Sequence, residues 1–350
     1  MAEGRNVTDG AHSRGAERAL EHTVVRCWRR ESPGVMIRSE CLLAAAALLG
    51  ASLAGAQTPR QPPPDSPLGL VRRGERLNAQ GEQNEAIALY RQALAKDPNL
   101  YQAYVAEGEA LDLQSQYGQA RADFQRALTL APIAAQPRIW RALAISYAFT
   151  ADAAAAAKAE NKAFAAQQTA GDFYAAGETA DELARIYLEC GDFDSAEHWY
   201  RLGHDTGLKQ PDITAARRDL WDFRLEHALA RIAARRGQFA EARRHVAAAE
   251  QILKKGDNPD QQRFLPYLAG YVAFYAGDLE GAIADLEQAD LHDPFVLSLL
   301  ARANEKAGHQ AAALADYRAI PRLGAHNPNN AFARPLAERR LAAAGGGVSD

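Results

Sequence analysis

A unit closed by proline recurs in this chain at a spacing of 34 residues. Gly74, Leu77, Gly81, Ala86, Tyr90, Ala93 and Pro98 are answered by Gly108, Leu111, Ser115, Ala120, Phe124, Ala127 and Pro132, each 34 positions further on. Both units end on an Ala-Leu pair followed by a proline ("ALAKDP", then "ALTLAP"). Such a period, with small residues at fixed offsets, marks one supersecondary unit that cannot bury its apolar face without its neighbours. The expected architecture is all-α: helical hairpins stacked in line, with length counting repeats instead of domains.

Weaker copies follow. The third carries Trp140, Leu143, Ala144, Tyr147, Ala156 and Ala163 without a closing proline. The fourth carries Leu183, Ala184, Tyr187, the run "GDFDSA" (191–196) and Tyr200; the fifth, Leu229, Ala230, Ala233 and "GQFAEA" (237–242). The sixth is strong again, with Gly270, Ala273, "GDLEGA" (277–282), Leu286, Ala289 and Pro294, and the seventh reads Leu297, Leu300, Ala301, Gly308, Ala313 and Tyr317. The turn glycine is expected to end the first helix in a left-handed conformation. The alanine after it lets the second helix approach closely, and proline stops that helix. Turn spacing widens from Gly191 to Gly237, which predicts a long helix starting near Asp212 and leaves the register of the fourth and fifth units open.

These residues resemble the tetratricopeptide repeat family over nearly all of residues 67–343. The resemblance implies a right-handed superhelical solenoid of about seven stacked hairpins. The amphipathic segment from Asn330 to Ala343 would be a C-terminal capping helix, shielding the end of the stack from solvent. It also implies a non-enzymatic scaffold or adaptor that receives protein or peptide partners along its inner groove. An accessory subunit of an envelope enzyme or transporter, holding a sugar or lipid, is the alternative.

The N-terminus carries a second signal. From Met36 the chain has Arg38, an apolar run from Cys41 to Leu53, and Ala54-Gly55-Ala56 before Gln57. That is the layout of a secretory signal peptide cleaved after Ala56. The run is short for a membrane span; uncleaved, it would anchor the chain to the inner membrane. The expected address is therefore periplasmic or secreted, in a bacterial cell envelope. Residues 1–35 read as an upstream extension or disordered arm, with translation expected to start at Met36. Residues 57–66 form a proline-rich linker, 67–343 the solenoid, and 344–350 a flexible tail.

Composition narrows the function. A formal net charge of -4 argues against nucleic acid as a partner. Cys27 and Cys41 precede the proposed cut, leaving Cys190, which is expected to be a small buried residue. The chain has no H-E-x-x-H, no G-x-S-x-G and no phosphate-binding glycine loop. No cofactor or metal site is expected. His198 and His204 share a segment with Glu197 and Asp205, but a separation of six residues does not put two ligands on one helical face. His227, His245, His292, His309 and His326 are scattered singly.

Carried over by register, the inward positions are Glu75, Glu109 and Asp112 in the first two units, then Arg138 and Arg141, then Glu178, Asp181 and Arg185. The family's carboxylate clamp needs Lys and Asn where this chain has Val71 and Glu75, so capture of chaperone tails in that manner is not expected. The fifth unit is basic: Arg224, His227, Arg231 and Arg235 recur as one helical stripe. The sixth is aromatic on the same stripe, with Phe264, Tyr267, Tyr271, Phe274 and Tyr275. These nine are the candidate partner-binding residues, since Arg and Tyr are favoured interface anchors. A solvated arginine face and ordinary aromatic packing are the competing readings of the same stripes.

Overall fold

The structure is a computed structural model and describes residues 62–345. The proposed signal peptide, the stretch before it, the first half of the linker (57–61) and residues 346–350 of the tail lie outside the described residues. Fifteen α-helices are present among those described. Fourteen pair into seven hairpins: α1 (Pro67–Ala79) with α2 (Gln83–Lys96), α3 (Tyr101–Leu113) with α4 (Tyr117–Leu130), and α5 (Gln136–Ala148) with α6 (Ala153–Thr169). Then come α7 (Phe173–Cys190) with α8 (Phe193–Gly207), α9 (Ala215–Arg235) with α10 (Phe239–Leu253), α11 (Leu265–Ala276) with α12 (Leu279–Leu286), and α13 (Pro294–Ala307) with α14 (Gln310–Ala319). The last helix is α15 (Pro328–Ala343). The long helix expected near Asp212 is α9, at 21 residues the longest of them.

The repeat residues act as the pattern requires. Gly277 closes α11 at φ +88°. Ser115 and Ala151, where the second and third units lack that glycine, take the same left-handed conformation at φ 61° and 54°. Inside the first helices, Gly74 and Gly108 have a different task. A methyl group on Gly108 would come within 2.8 Å of the Phe124 ring, and one on Gly74 would overlap Tyr90. Each glycine is thus the seat for the aromatic that closes its own hairpin. Tyr90 and Phe124 are both fully buried as a result.

The wide middle of the stack has its own device. Trp221 of α9 is buried against Gly177 of α7 and Gly207 at the end of α8. A methyl group on Gly177 would sit 2.6 Å from the indole, and one on Gly207 would overlap it. Three helices therefore converge on one ring, which holds the longer hairpins in register.

The C-terminal helix departs from the expected cap. It does cover the seventh hairpin, burying Ala333, Ala337 and Leu341 against Leu297, Ala301, Ala313 and Tyr317. It also packs on α5 and α7, four and three hairpins earlier in the solenoid order. The segment leading into it passes the first hairpin, with Gly324 against the Asn78 carbonyl and the Arg322 carbonyl beside Gly81. The segment 320–343 is therefore a strap across the inner face, and the physical reason is a set of buried polar anchors.

His326 Nε2 lies 2.9 Å from Asp112 Oδ2, with both side chains almost wholly buried. Ser146 Oγ donates to the other carboxylate oxygen at 2.9 Å. The imidazole also lies against Phe124 and Phe149, each 5.8 Å away between ring centroids. Arg334 Nη1 donates to the Leu113 carbonyl at 2.8 Å, where the C-terminal dipole of α3 favours a cation. Ser115 Oγ donates to Glu338 at 3.1 Å. Asn330 keeps the strap's own loop closed by donating to the carbonyls of Leu323 and Ala325 at 2.9 and 2.7 Å.

Cys190 is exposed, contrary to the buried role expected of it. It is the last residue of α7, and its thiol turns toward the Ala151 carbonyl at 3.6 Å on the surface of the turn.

Two outcomes follow from this packing. Gly207→Ala forces the Trp221 indole out of its seat and costs about 1–3 kcal/mol, as overpacking does; an unchanged melt would mean the ring has room to move. His326→Ala leaves the buried Asp112 carboxylate without its imidazole partner, a loss of about 3 kcal/mol. The Asp112 pairing raises the His326 pKa despite burial, which opposes it. Its folded value therefore lies above the unfolded one. Its stabilisation is full below the ordinary histidine pKa of ~6.5 and fades as pH rises through the folded value. His204 shifts in the same direction, so the test is the difference between wild type and His326→Gln, which should shrink on the alkaline side.

Candidate functional site

The first helices of successive hairpins form the inner face, and the strap lines two cavities on it. One of about 500 Å³ is bordered by Glu75, Glu109, Arg138, Arg141, Gly324 and His326. The other, about 430 Å³, is bordered by Asp181, Arg185, Tyr200, Arg224, His227, Arg231 and Phe264, with Asn327 to Asn329 of the strap. Glu182 belongs to both walls. Inward positions assigned by register thus do reach the inner face, but the strap shares that face with them.

Charges in the first cavity are largely matched. Arg141 Nε lies 2.7 Å from Glu182, and Arg138 is 3.9 Å from Glu109. Glu75 is pushed up by burial and by Glu109. Behind this wall Glu160 is fully buried. Burial and then the Glu182 charge hold its carboxyl well above the usual range.

The basic stripe is matched as well. Arg224 meets Glu178 at 3.2 Å, and Arg235 meets Glu189 at 3.6 Å. Glu178 and Glu189 stand on α7, one hairpin back, so the acidic helix complements the basic one beside it. Arg185 is the hub: its Nε lies 3.0 Å from Glu189, its Nη2 donates to Tyr267 Oη at 3.0 Å, and its guanidinium covers the Phe295 ring at 3.7 Å. Burial and the positive charge of Arg185 push the His227 pKa down to about 3, so that imidazole is neutral. Asp181 is pushed up to about 7, chiefly by burial.

Arg231 differs from the others. Its side chain donates to the His227 carbonyl and to Tyr200 Oη, both at 3.2 Å. It is 4% exposed, and among the described residues no carboxylate lies within ion-pair distance of it. Its Nη1 and the Nε2 of His227 are buried without a hydrogen-bond partner among those residues.

The aromatic stripe is mostly packing. Tyr267, Tyr271 and Phe274 are 7%, 3% and 2% exposed, against Phe295 and Leu299 of α13 and Phe332 of the strap. Tyr275 and Phe264 remain half-buried. Arg302 and Lys306 stack on the Phe274 ring at 4.8 and 4.7 Å. Of the nine stripe residues, then, Arg231, Tyr267, Tyr271 and Phe274 are covered. Charge reversal at Arg231 would break a buried network, where a solvated stripe would have tolerated it.

The paired histidines do not converge. His198 is exposed beside Trp199, and His204 is held between Asp205 at 3.0 Å and Asp222 at 2.8 Å. Among the described residues no cluster of His, Cys, Asp and Glu is arranged to hold a metal ion. No described helix is long and apolar enough to cross a membrane. Register reasoning missed His326, Asn329 and Arg334. The run "HNPNN" (326–330) signals a helix start, but nothing in it names Asp112 as the partner.

The geometry defines a class of protein: a solenoid of helical hairpins with a charged and aromatic inner face. The family-model match and one solved structure agree on the helical-hairpin fold. Residues 101–133 match the tetratricopeptide repeat family model. Among curated proteins, the tetratricopeptide repeat and J domain-containing co-chaperone DNJ1 of Fusarium oxysporum f. sp. lycopersici is 25% identical over 246 residues, 70% of this chain. The chain spans 37% of that relative's length. Among solved structures, a Rap protein complexed with competence and sporulation factor is similar in fold, with a TM-score of 0.51 and 14% identity over 79% of this chain and 76% of that one. A tetratricopeptide repeat protein from Parabacteroides merdae ATCC 43184 also matches, at a TM-score of 0.45 and 16% identity over 78% of this chain and 97% of that one.

Arg185→Ala removes the hub shared by Glu189, Tyr267 and Phe295. A loss of about 3 kcal/mol is expected, because Glu189 stays buried beside a single remaining arginine; a thermal melt reads it, and no change would show the hub to be dispensable.

Proposed function

We propose that this chain is a non-enzymatic interaction module, exported to a bacterial cell envelope, that holds protein partners on the inner face of its solenoid. The observation that carries the reading is the set of half-buried arginine and aromatic side chains, Arg224, Phe264 and Tyr275, that line cavities on this side of the solenoid. Arg and Tyr supply directional contacts with a large apolar area, the combination found in interface anchors. The wall is preformed by hairpin packing, so binding costs little ordering. The tetratricopeptide match and the co-chaperone relative support an interaction role. The signal-peptide layout before Gln57 supports export. Cleaved there, the mature chain would begin in the proline-rich linker, with the inner face available to envelope proteins.

Among the half-buried members of the stripes, Arg224 and Tyr275 serve to test whether the face is open to a partner. In-cell crosslinking of the exported chain, followed by affinity capture and mass spectrometry, should return a defined protein set. That set should be depleted for Arg224→Ala and Tyr275→Ala variants that retain wild-type helicity. Equal capture by both variants would remove this wall as the partner surface. Recovery of the chain only from the cytoplasmic fraction, with its residues before Gln57 intact, would overturn the export reading.

A further inference from the structure

We infer that the segment from Pro321 to Asn330 is a lid on the inner face, fixed at the seventh hairpin and released from the first hairpins as rising pH removes the proton of His326. Its meaning as regulation rests on the interaction reading, since a partner running along the inner face needs the place that the lid occupies.

Two kinds of contact hold the strap. Its feet are apolar: Ile320 on one side, and Ala333, Ala337 and Leu341 on the other, are buried in the core of the seventh hairpin. Its reach to the first hairpins is mostly polar. There His326 meets Asp112 at 2.9 Å, and Arg334 Nη1 donates to the Leu113 carbonyl at 2.8 Å. Of the strap's apolar side chains, Ala331 and Phe332 join the core of the first hairpins. Gly324 and His326 border the 500 Å³ cavity, so lifting the tip gives up few dispersion contacts.

The segment is braced to move as one body. Asn330 Nδ2 donates to the carbonyls of Leu323 and Ala325, and its backbone N–H donates to Asn327 Oδ1 at 2.9 Å. Arg334 Nη2 donates to the Pro321 carbonyl, and Asn329 ties the base to Asp293 of α13 at 2.8 and 2.9 Å. These bonds lie within the strap or between it and the seventh hairpin, so raising the tip breaks none of them.

His326 is the strap's only imidazole. Besides Asp112, the charged groups facing it are Glu75 of α1, Glu109 of α3, Arg138 and Arg141 of α5 and Glu182 of α7. Arg138 and Arg141 are turned to Glu109 and Glu182, at 3.9 and 2.7 Å. Ser146, which donates to Asp112, lies 3.3 Å from Arg121 of α4. Burial opposes a proton on His326, but the hydrogen bond and charge of Asp112, with Glu109 and Glu182 behind it, outweigh burial and raise the closed-state pKa. An open lid returns the imidazole to water and to its ordinary value of ~6.5. The ratio of open to closed lid is therefore constant below that value. Above it the ratio rises by up to about tenfold per pH unit, and it levels off past the closed-state value.

Spin labels on Gln80→Cys and Ala325→Cys test the lid in the full chain, with its native cysteines changed to serine. Both positions are exposed, and they flank the place where Gly324 meets α1. Dipolar broadening at room temperature should be strong near about pH 6 and fall towards about pH 9, a range that spans the ordinary histidine value, while helicity by circular dichroism is held. His326→Gln should remove the pH step, and Glu75→Gln, on the same cavity, should keep it. Gly324→Ala should weaken the broadening at every pH, because its methyl group would overlap the Asn78 carbonyl; this variant reports the open lid even if His326→Gln fails to fold. Broadening that stays constant across the pH range, or that falls only as helicity is lost, would overturn the inference. So would a step retained by folded His326→Gln or lost in Glu75→Gln. No partner enters the measurement: a lid blind to pH would leave the interaction reading in place, and failure to capture envelope proteins would leave the lid in place.

Discussion

The buried pairing of His326 with Asp112, seconded by Arg334 on the end of α3, is the contact on which the inner face depends. A solenoid has only neighbour contacts, and its two ends are ordinarily independent. Here residues more than 200 positions apart are joined by buried hydrogen bonds. In such a setting each polar group must be satisfied by the other, because neither can return to solvent without opening the strap. The strap therefore links the first hairpins to the last, and it sets the walls of both cavities.

The same economy governs the arginines. Basic residues on α9 stand opposite acidic residues on α7, and each pair neutralises itself across a hairpin boundary. What looks in sequence like an exposed cationic stripe is therefore mostly an internal seam. Exposed ion pairs contribute little, but these are half-buried and bridge consecutive hairpins, so they fix how one hairpin sits on the next. Arg231 stands out because the seam leaves it unbalanced, and an unbalanced buried charge is the sort of local expense that functional sites tolerate.

Much of the fold was legible from the chain. The spacing of Gly74 and Tyr90 against Gly108 and Phe124 dictates the hairpin, since a small residue and a large ring must meet at each crossing. Turn glycines dictate where the first helix stops, and the widened interval before Gly237 foretold the long helix α9. Inward register was legible too: Glu75, Glu109, Arg138 and Arg141 all reach one cavity. Exposure was not. Tyr271 and Phe274 share the stripe of Tyr275, yet the covering of α13 and the strap buries two and leaves the third half-open.

Sequence alone determined the local unit and its repetition, because hairpin geometry depends on residues that lie within one period of each other. Only the tertiary structure decided what the last helix does. An amphipathic segment at the end of a stack reads as a cap, and its packing on the seventh hairpin is that of a cap. Its turn across the inner face rests on His326 and Arg334 finding Asp112 and Leu113, and no periodicity couples positions so far apart. The charge left over at Arg231 has the same origin, since a residue's counter-ion is set by which helices meet and not by its neighbours along the chain.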